Sequence, residues 1–131
     1  MAQTTAITKQ ANYKTVVRSA SNEIITDEPI DLGGTDQGMN PAELLTASLG
    51  SCTSITLRMY ADRKAWNLEE IIVEVILNED DKDNPVLTRI IEAKGDLDEK
   101  QKSRLLTIAN ACPIHKLLSR GIQIVTELKN N

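Results

Sequence analysis

Apolar positions along the chain change their spacing several times, and each change marks an element. Between Met39 and Lys64, Leu45, Leu49, Cys52, Thr56, Met59 and Arg63 recur every three or four residues, joined by Ser48 and Ile55. That is the repeat of a helix with one face turned inward. Asn40 is placed to cap it, Pro41 suits a first helical position that has no use for an N–H, and Glu43 completes a capping box. The pattern predicts one long helix with Cys52 in its buried stripe. The residues around the cysteine, Ala47, Ser48, Gly50, Ser51 and Thr53, are small, and Gly50 costs the helix about 1 kcal/mol relative to Ala. A close approach is expected there, by a second helix or by a small ligand reaching the sulfur.

Elsewhere the spacing shortens to two. Tyr13, Thr15 and Val17 alternate with Lys14, Val16 and Arg18, and after a Ser-Ala-Ser-Asn turn the alternation resumes over Glu23 to Thr26, which predicts a β-hairpin. Residues 1–10 lack a pattern and are expected to form a loose end. Asp27 to Gly38 (DEPIDLGGTDQG) is a loop by its prolines and glycines. Gly33-Gly34 lacks the spacing and the Lys-Ser/Thr ending of a phosphate loop, so it is assigned to that loop alone. Leu68 to Asn78 and Val86 to Ala93 predict two antiparallel strands across a Glu79–Pro85 turn. Asp98 and Gln101 repeat the capping pattern and open a helix through about Asn110, with Leu105, Leu106, Ile108 and Ala109 inward. Ile114 to Arg120 adds a short helix ended by Gly121, and Ile122 to Leu128 alternates as a last strand. The expected class is α+β in the order β-β-α-β-β-α-α-β, one domain over residues 1–131. The long helix would span about 36 Å, more than one small sheet covers, which predicts a homodimer with two such helices in contact.

Composition narrows the function. With no Phe, one Trp and two Tyr, aliphatic side chains must supply nearly all the core. A net charge of -4 with both signs interspersed gives no footprint for nucleic acid or an anionic membrane. No leader pattern and no long apolar run appears, so a cytoplasmic protein without membrane partners is expected. In that reducing compartment two widely separated cysteines read as free thiols or as a catalytic pair that cycles.

The cysteines are the candidate chemistry. A cysteine on an apolar helix stripe is by default a small hydrophobe, which is the plain reading of Cys52. Cys112 stands before Pro113 in CPIH, as N-cap of the following helix, where backbone N–H groups and the helix dipole favour a thiolate. His115 either supports that thiolate or packs. On this reasoning Cys112 is the more activated thiol and Cys52 the more buried. Two Cys and one His lack the number and spacing of a structural zinc site, so neither a metal nor a cofactor is expected.

The combination NPAELLTASLGSC, two apolar strands, GDLDEKQ opening a helix, and ACPIH before a last alternating run resembles the OsmC/Ohr family of small redox proteins, specifically its OsmC-like branch, from about Tyr13 onward. The resemblance implies an intertwined α+β homodimer with central long helices and paired cysteines near the subunit interface. It also implies a thiol peroxidase acting on organic hydroperoxides in oxidative-stress defence. Cys52 would attack the peroxide and become a sulfenic acid, Cys112 would resolve it as a disulfide, and an external dithiol would reduce the pair. The family pattern places a glutamate ten residues before the reactive cysteine, where this chain has Ala42; Glu43 falls on the opposite helix face. Its activating arginine comes from the N-terminal hairpin, where Arg18 lies near but ahead of the matching position. Arg18 and His115 are the candidate assisting residues. The alternatives are a stress-associated binding module with little peroxidase turnover, and a cysteine hydrolase using His115.

Overall fold

The computed structural model describes residues 1–129. The chain forms two compact units, Met1–Ala47 and the remainder from Ser48. In the first, β1 (Thr5–Thr8), β2 (Thr15–Arg18) and β3 (Glu23–Thr26) make an antiparallel sheet in the order β1-β2-β3. The hairpin β2–β3 lies where the alternation predicted it, with Val16 opposite Ile25. The first residues are not a loose end: Thr5 pairs with Arg18 and Ile7 with Val16, because β2 offers a free edge to any extended neighbour.

The loop from Asp27 to Gly38 is organised around a buried carboxylate. Asp27 is 2% exposed and accepts hydrogen bonds from the N–H groups of Tyr13, Glu28 and Gln37 and from the Thr35 hydroxyl. Burial alone would raise its pKa; the Thr35 hydroxyl and the backbone N–H groups outweigh burial and bring it down to about 2.

Helix α1 (Pro41–Arg63) starts as its sequence requires. The Asn40 side chain accepts from the Glu43 N–H at 2.8 Å and Glu43 accepts from the Asn40 N–H at 3.0 Å, a complete capping box. Its buried residues are Leu49, Thr53, Leu57 and Ala61, so the inward face is rotated by about one residue from the one the spacing predicted. Cys52 lies beside this stripe rather than in it, and Ile55 and Met59 are exposed. The helix ends with Ala65 in the left-handed region at φ 55°, the Trp66 N–H returning to the Ala61 carbonyl and the Ala65 N–H to Asp62.

In the second unit β4 (Asn67–Asn78) and β5 (Val86–Asp96) form a long antiparallel ribbon. Its register shifts at Leu68/Glu70, where Gly95 stands opposite Leu68. Gly95 has φ 145°, and a Cβ there would lie 2.1 Å from the Asn67 carbonyl oxygen, so the bulge requires glycine. Helix α2 (Glu99–Ala109) opens with the expected Asp98/Gln101 capping box. Leu105 and Ala109 join Leu57, Ala61 and Leu68 in the core, flanked by Tyr60, Trp66, Ile71, Ile91, Ala93, Leu97 and Ile108. Leu106 points outward instead, because the helix has only one covered side.

Helix α3 (Pro113–Arg120) has Cys112 as N-cap and Pro113 at its first position. The last strand is not formed. From Gly121 to Lys129 the described chain makes no sheet pairing, and Ile122, Ile124, Val125 and Leu128 are exposed, Ile124 at 85%. Period-two spacing selects an extended conformation; it does not supply a partner edge. The order among described residues is therefore β-β-β-α-β-β-α-α.

Candidate active site: a paired thiol site

The second unit brings both cysteines together. Cys52, midway along α1, is half-buried, and Cys112, at the start of α3, is fully buried. The expectation that Cys52 is the deeper thiol is overturned: α1 turns Thr53 inward, and the α2–α3 turn folds Cys112 beneath the helix. Cys52 borders an open cavity of about 560 Å³ lined by Ser48, Ser51, Ile55, Thr56, Met59, Pro113 and Ile114. Its walls are mostly apolar, with small hydroxyls at the helix side.

Within the protomer the close approach at Gly50 is made by a strand. It is β4, with the Val75 Cγ2 3.5 Å from where a Cβ would stand, an ordinary van der Waals distance.

The two cysteines adjoin one another, and their protonation preferences diverge. Burial raises the pKa of Cys52, and the neighbouring Cys112 raises it further; the Ile114 N–H and the Thr56 hydroxyl offset only part of this. At Cys112 burial also opposes the charge, but the Cys52 thiol, the His115 N–H, the Thr53 hydroxyl and the Ile114 N–H outweigh it, and its pKa is lowered. The Cys112 side chain makes no regular cap hydrogen bond, so the N–H groups act on it as oriented dipoles.

The cation nearest this chemistry was not singled out in the sequence. Arg89 occupies an inward position of β5, among Leu87, Ile91 and Ala93, where alternation leads one to expect an apolar side chain. That parity was the available signal. Its Nη1 donates to the Thr53 Oγ1 at 3.1 Å and to the Ala109 carbonyl at 3.3 Å; its Nη2 donates to the Asn110 Oδ1 at 3.2 Å and meets the His115 Nδ1 at 3.1 Å. His115 is thereby brought to the site, with Nδ1 as acceptor and its ring proton on Nε2.

Arg18, the cation the resemblance suggested, and Arg58 are engaged elsewhere. Arg18, in the first unit, donates through Nε to the Glu23 carboxylate at 2.6 Å. Arg58 donates to the Leu68 carbonyl at 2.6 Å and to the Glu69 carbonyl at 3.3 Å, clamping the start of β4. Among the described residues no cluster of His, Cys, Asp or Glu is arranged to hold a metal ion, and no helix is long and apolar enough to cross a membrane.

An α+β chain that pairs a helix cysteine with a helix-capping cysteine beside an apolar cavity defines a small dithiol protein. The OsmC-like protein family model matches residues 34–127, and the chain belongs to that family. Among solved structures it is similar to a Psychrobacter arcticus protein described as osmotic-stress-induced and belonging to a detoxification response, with 26% identity over 88% of this chain and 87% of that one and a TM-score of 0.72. It is also similar to the organic hydroperoxide resistance protein OhrB of Bacillus subtilis, with 25% identity over 92% and 91% of the two chains and a TM-score of 0.63. An OsmC-like protein of Mycoplasma pneumoniae shares the fold at a TM-score of 0.75 with 19% identity, covering 91% and 87%. No curated protein matches the sequence.

Proposed function

We propose that this protein is a cytoplasmic thiol peroxidase that reduces organic hydroperoxides without a cofactor or metal, with Cys52 as nucleophile, Cys112 as resolving thiol and an external dithiol as reductant. The observation that carries the reading is the placement of Cys52 on an apolar cavity with Cys112 as its neighbour. An alkyl peroxide would bury its chain against Ile55, Met59 and Ile114 while its oxygens face the sulfur and the hydroxyls of Ser48, Ser51 and Thr56. The lowered pKa of Cys112 favours the form that attacks a sulfenic acid. His115 assists through its backbone N–H at Cys112. Arg18 is proposed as an assisting charge, a role that requires its ion pair with Glu23 to open.

The working form is proposed to be an intertwined homodimer. Ile55 and Met59 on α1 and Ile72, Ile76 and Ile90 on the outer face of the β4–β5 ribbon are exposed within one protomer, and a second copy is the occupant that the cyclic symmetry of small oligomers favours.

Two observations favour a second reading, a stress-associated binding module. Ala42 leaves no carboxylate ten residues before Cys52, and the Cys52 pKa is raised, both of which slow attack on a peroxide. The test is stoichiometric. Reduced protein is mixed with one equivalent of tert-butyl hydroperoxide or hydrogen peroxide, and thiols and intact mass are followed. Rapid loss of both thiols with the mass of two hydrogen atoms, faster with the organic peroxide, is expected for the peroxidase. Thiols that persist for many minutes would leave the binding module.

A further inference from the structure

Arg89 is a cation without a carboxylate. Among the described residues its guanidinium takes part in no ion pair, and all four of its acceptors are neutral. Those acceptors are not scattered. Ala109 and Asn110 precede Cys112 in the chain, His115 follows it, and Thr53 adjoins Cys52. The guanidinium fork therefore ties the two cysteine-bearing segments together from beneath.

Thr53 is the second observation. It is fully buried, and its oxygen accepts from Arg89 while giving its single proton to the Leu49 carbonyl at 2.7 Å. The same hydroxyl favours a charged Cys112 sulfur. One proton has two acceptors to choose between, and with Arg89 holding the oxygen, turning the O–H from the Leu49 carbonyl toward Cys112 is how the hydroxyl would favour a charged sulfur.

We propose that Arg89 is a positioning residue for the second thiol: by fixing Thr53 and the Ala109–His115 turn around Cys112, it maintains that sulfur as the base that takes the Cys52 proton. The catalytic half rests on the peroxidase reading; the positioning half does not. In the step, the Cys52 S–H passes its proton to the Cys112 thiolate as its sulfur attacks the distal oxygen of R–O–O–H. The O–O bond breaks, the alkoxide carries away its electron pair and takes the proton from Cys112 to leave as an alcohol, and Cys52 remains as S–OH. Cys52 is oxidised and the peroxide reduced, and Cys112 returns to the thiolate. Cys112 thus occupies the role for which Ala42 offers no carboxylate. The charged or titratable groups in the cluster are Cys52 on α1, Arg89 on β5, and Cys112 and His115 at α3.

The test measures ionisation before turnover. In the Cys52→Ser background, thiolate absorbance in the ultraviolet followed across pH reports the Cys112 midpoint for Arg89→Gln, Thr53→Val and Thr53→Ser. Arg89→Gln and Thr53→Val are expected to raise the midpoint by about one pH unit, roughly a tenfold loss of thiolate below it, whereas Thr53→Ser keeps the wild-type midpoint. An unchanged midpoint in both Arg89→Gln and Thr53→Val would overturn the positioning role. If Arg89→Gln does not fold, the Val and Ser variants at 53 decide it, since they differ in the hydroxyl and leave the cation in place. With both cysteines present, the Cys52 reaction with tert-butyl hydroperoxide at neutral pH should slow by a similar factor in Thr53→Val. A shifted midpoint in a protein whose wild type does not react with the peroxide would refute the peroxidase reading and the base step, and leave the positioning role standing.

Discussion

Cys52 and Cys112 adjoin one another with opposite protonation preferences: the half-buried sulfur is held above the ordinary thiol range and the fully buried one below it. Burial opposes charge at both. What separates them first is their own contact, which raises Cys52 and lowers Cys112; the His115 N–H and the Thr53 hydroxyl then act on Cys112 alone.

That coupling makes the single-cysteine variants informative. Removing Cys112 takes away a group that raises the Cys52 pKa, so Cys112→Ser should lower the Cys52 midpoint. Cys52→Ser keeps a hydroxyl donor toward Cys112 and should change its midpoint less. Thiolate absorbance against pH for each variant checks both directions, and a Cys52 midpoint that rises in Cys112→Ser would contradict the arrangement.

Asp27 gives the first unit its own dependence on pH. Its folded pKa of about 2 lies below the ordinary 3.8, so the stabilisation is fully present above 3.8 and is lost as pH falls toward 2. Asp27→Asn should melt earlier than wild type at neutral pH, and the gap between them should close over that acid window. Thermal melts of both proteins from neutral pH to pH 2 measure it.

Gly50 and Ala65 each stand where the other residue would serve better. Gly50 sits inside α1 with room for a methyl group, and Ala65 holds the left-handed position after its end. Gly50→Ala should gain up to about 1 kcal/mol from helix propensity, and Ala65→Gly a similar amount from relief of left-handed strain. The sites are far apart on the helix, so the effects should add in a denaturant titration. A loss on Gly50→Ala would show that Val75 cannot yield.

Met59 is 61% exposed on the cavity side of α1. If that face meets a second copy, Met59→Glu buries two like charges across a symmetric contact and should shift the protein toward monomer. Sedimentation velocity at micromolar concentration reads the outcome, and an unchanged assembly would place the subunit contact elsewhere.

Local rules carried much of the fold. Asn40 with Glu43 and Asp98 with Gln101 place two helix starts to the residue, Cys112-Pro113 a third, and the alternation finds β2, β3, β4 and β5, because caps and periodicity are properties of a few neighbouring residues. The position of Cys112 as the N-cap of α3 was equally legible, since Pro113 follows it directly in the sequence. Matters decided by distant partners were not. The inward face of α1 is set by where the β4–β5 ribbon lies, which turns Thr53 in and leaves Cys52 on the cavity. Thr5–Thr8 becomes a strand because it reaches the open edge of β2, whereas Ile122–Leu128 pairs with none of the described strands. Arg89 meets Thr53 across thirty-six positions and His115 across twenty-six. No spacing rule reaches that far; only the folded backbone sets which neutral acceptors surround an arginine.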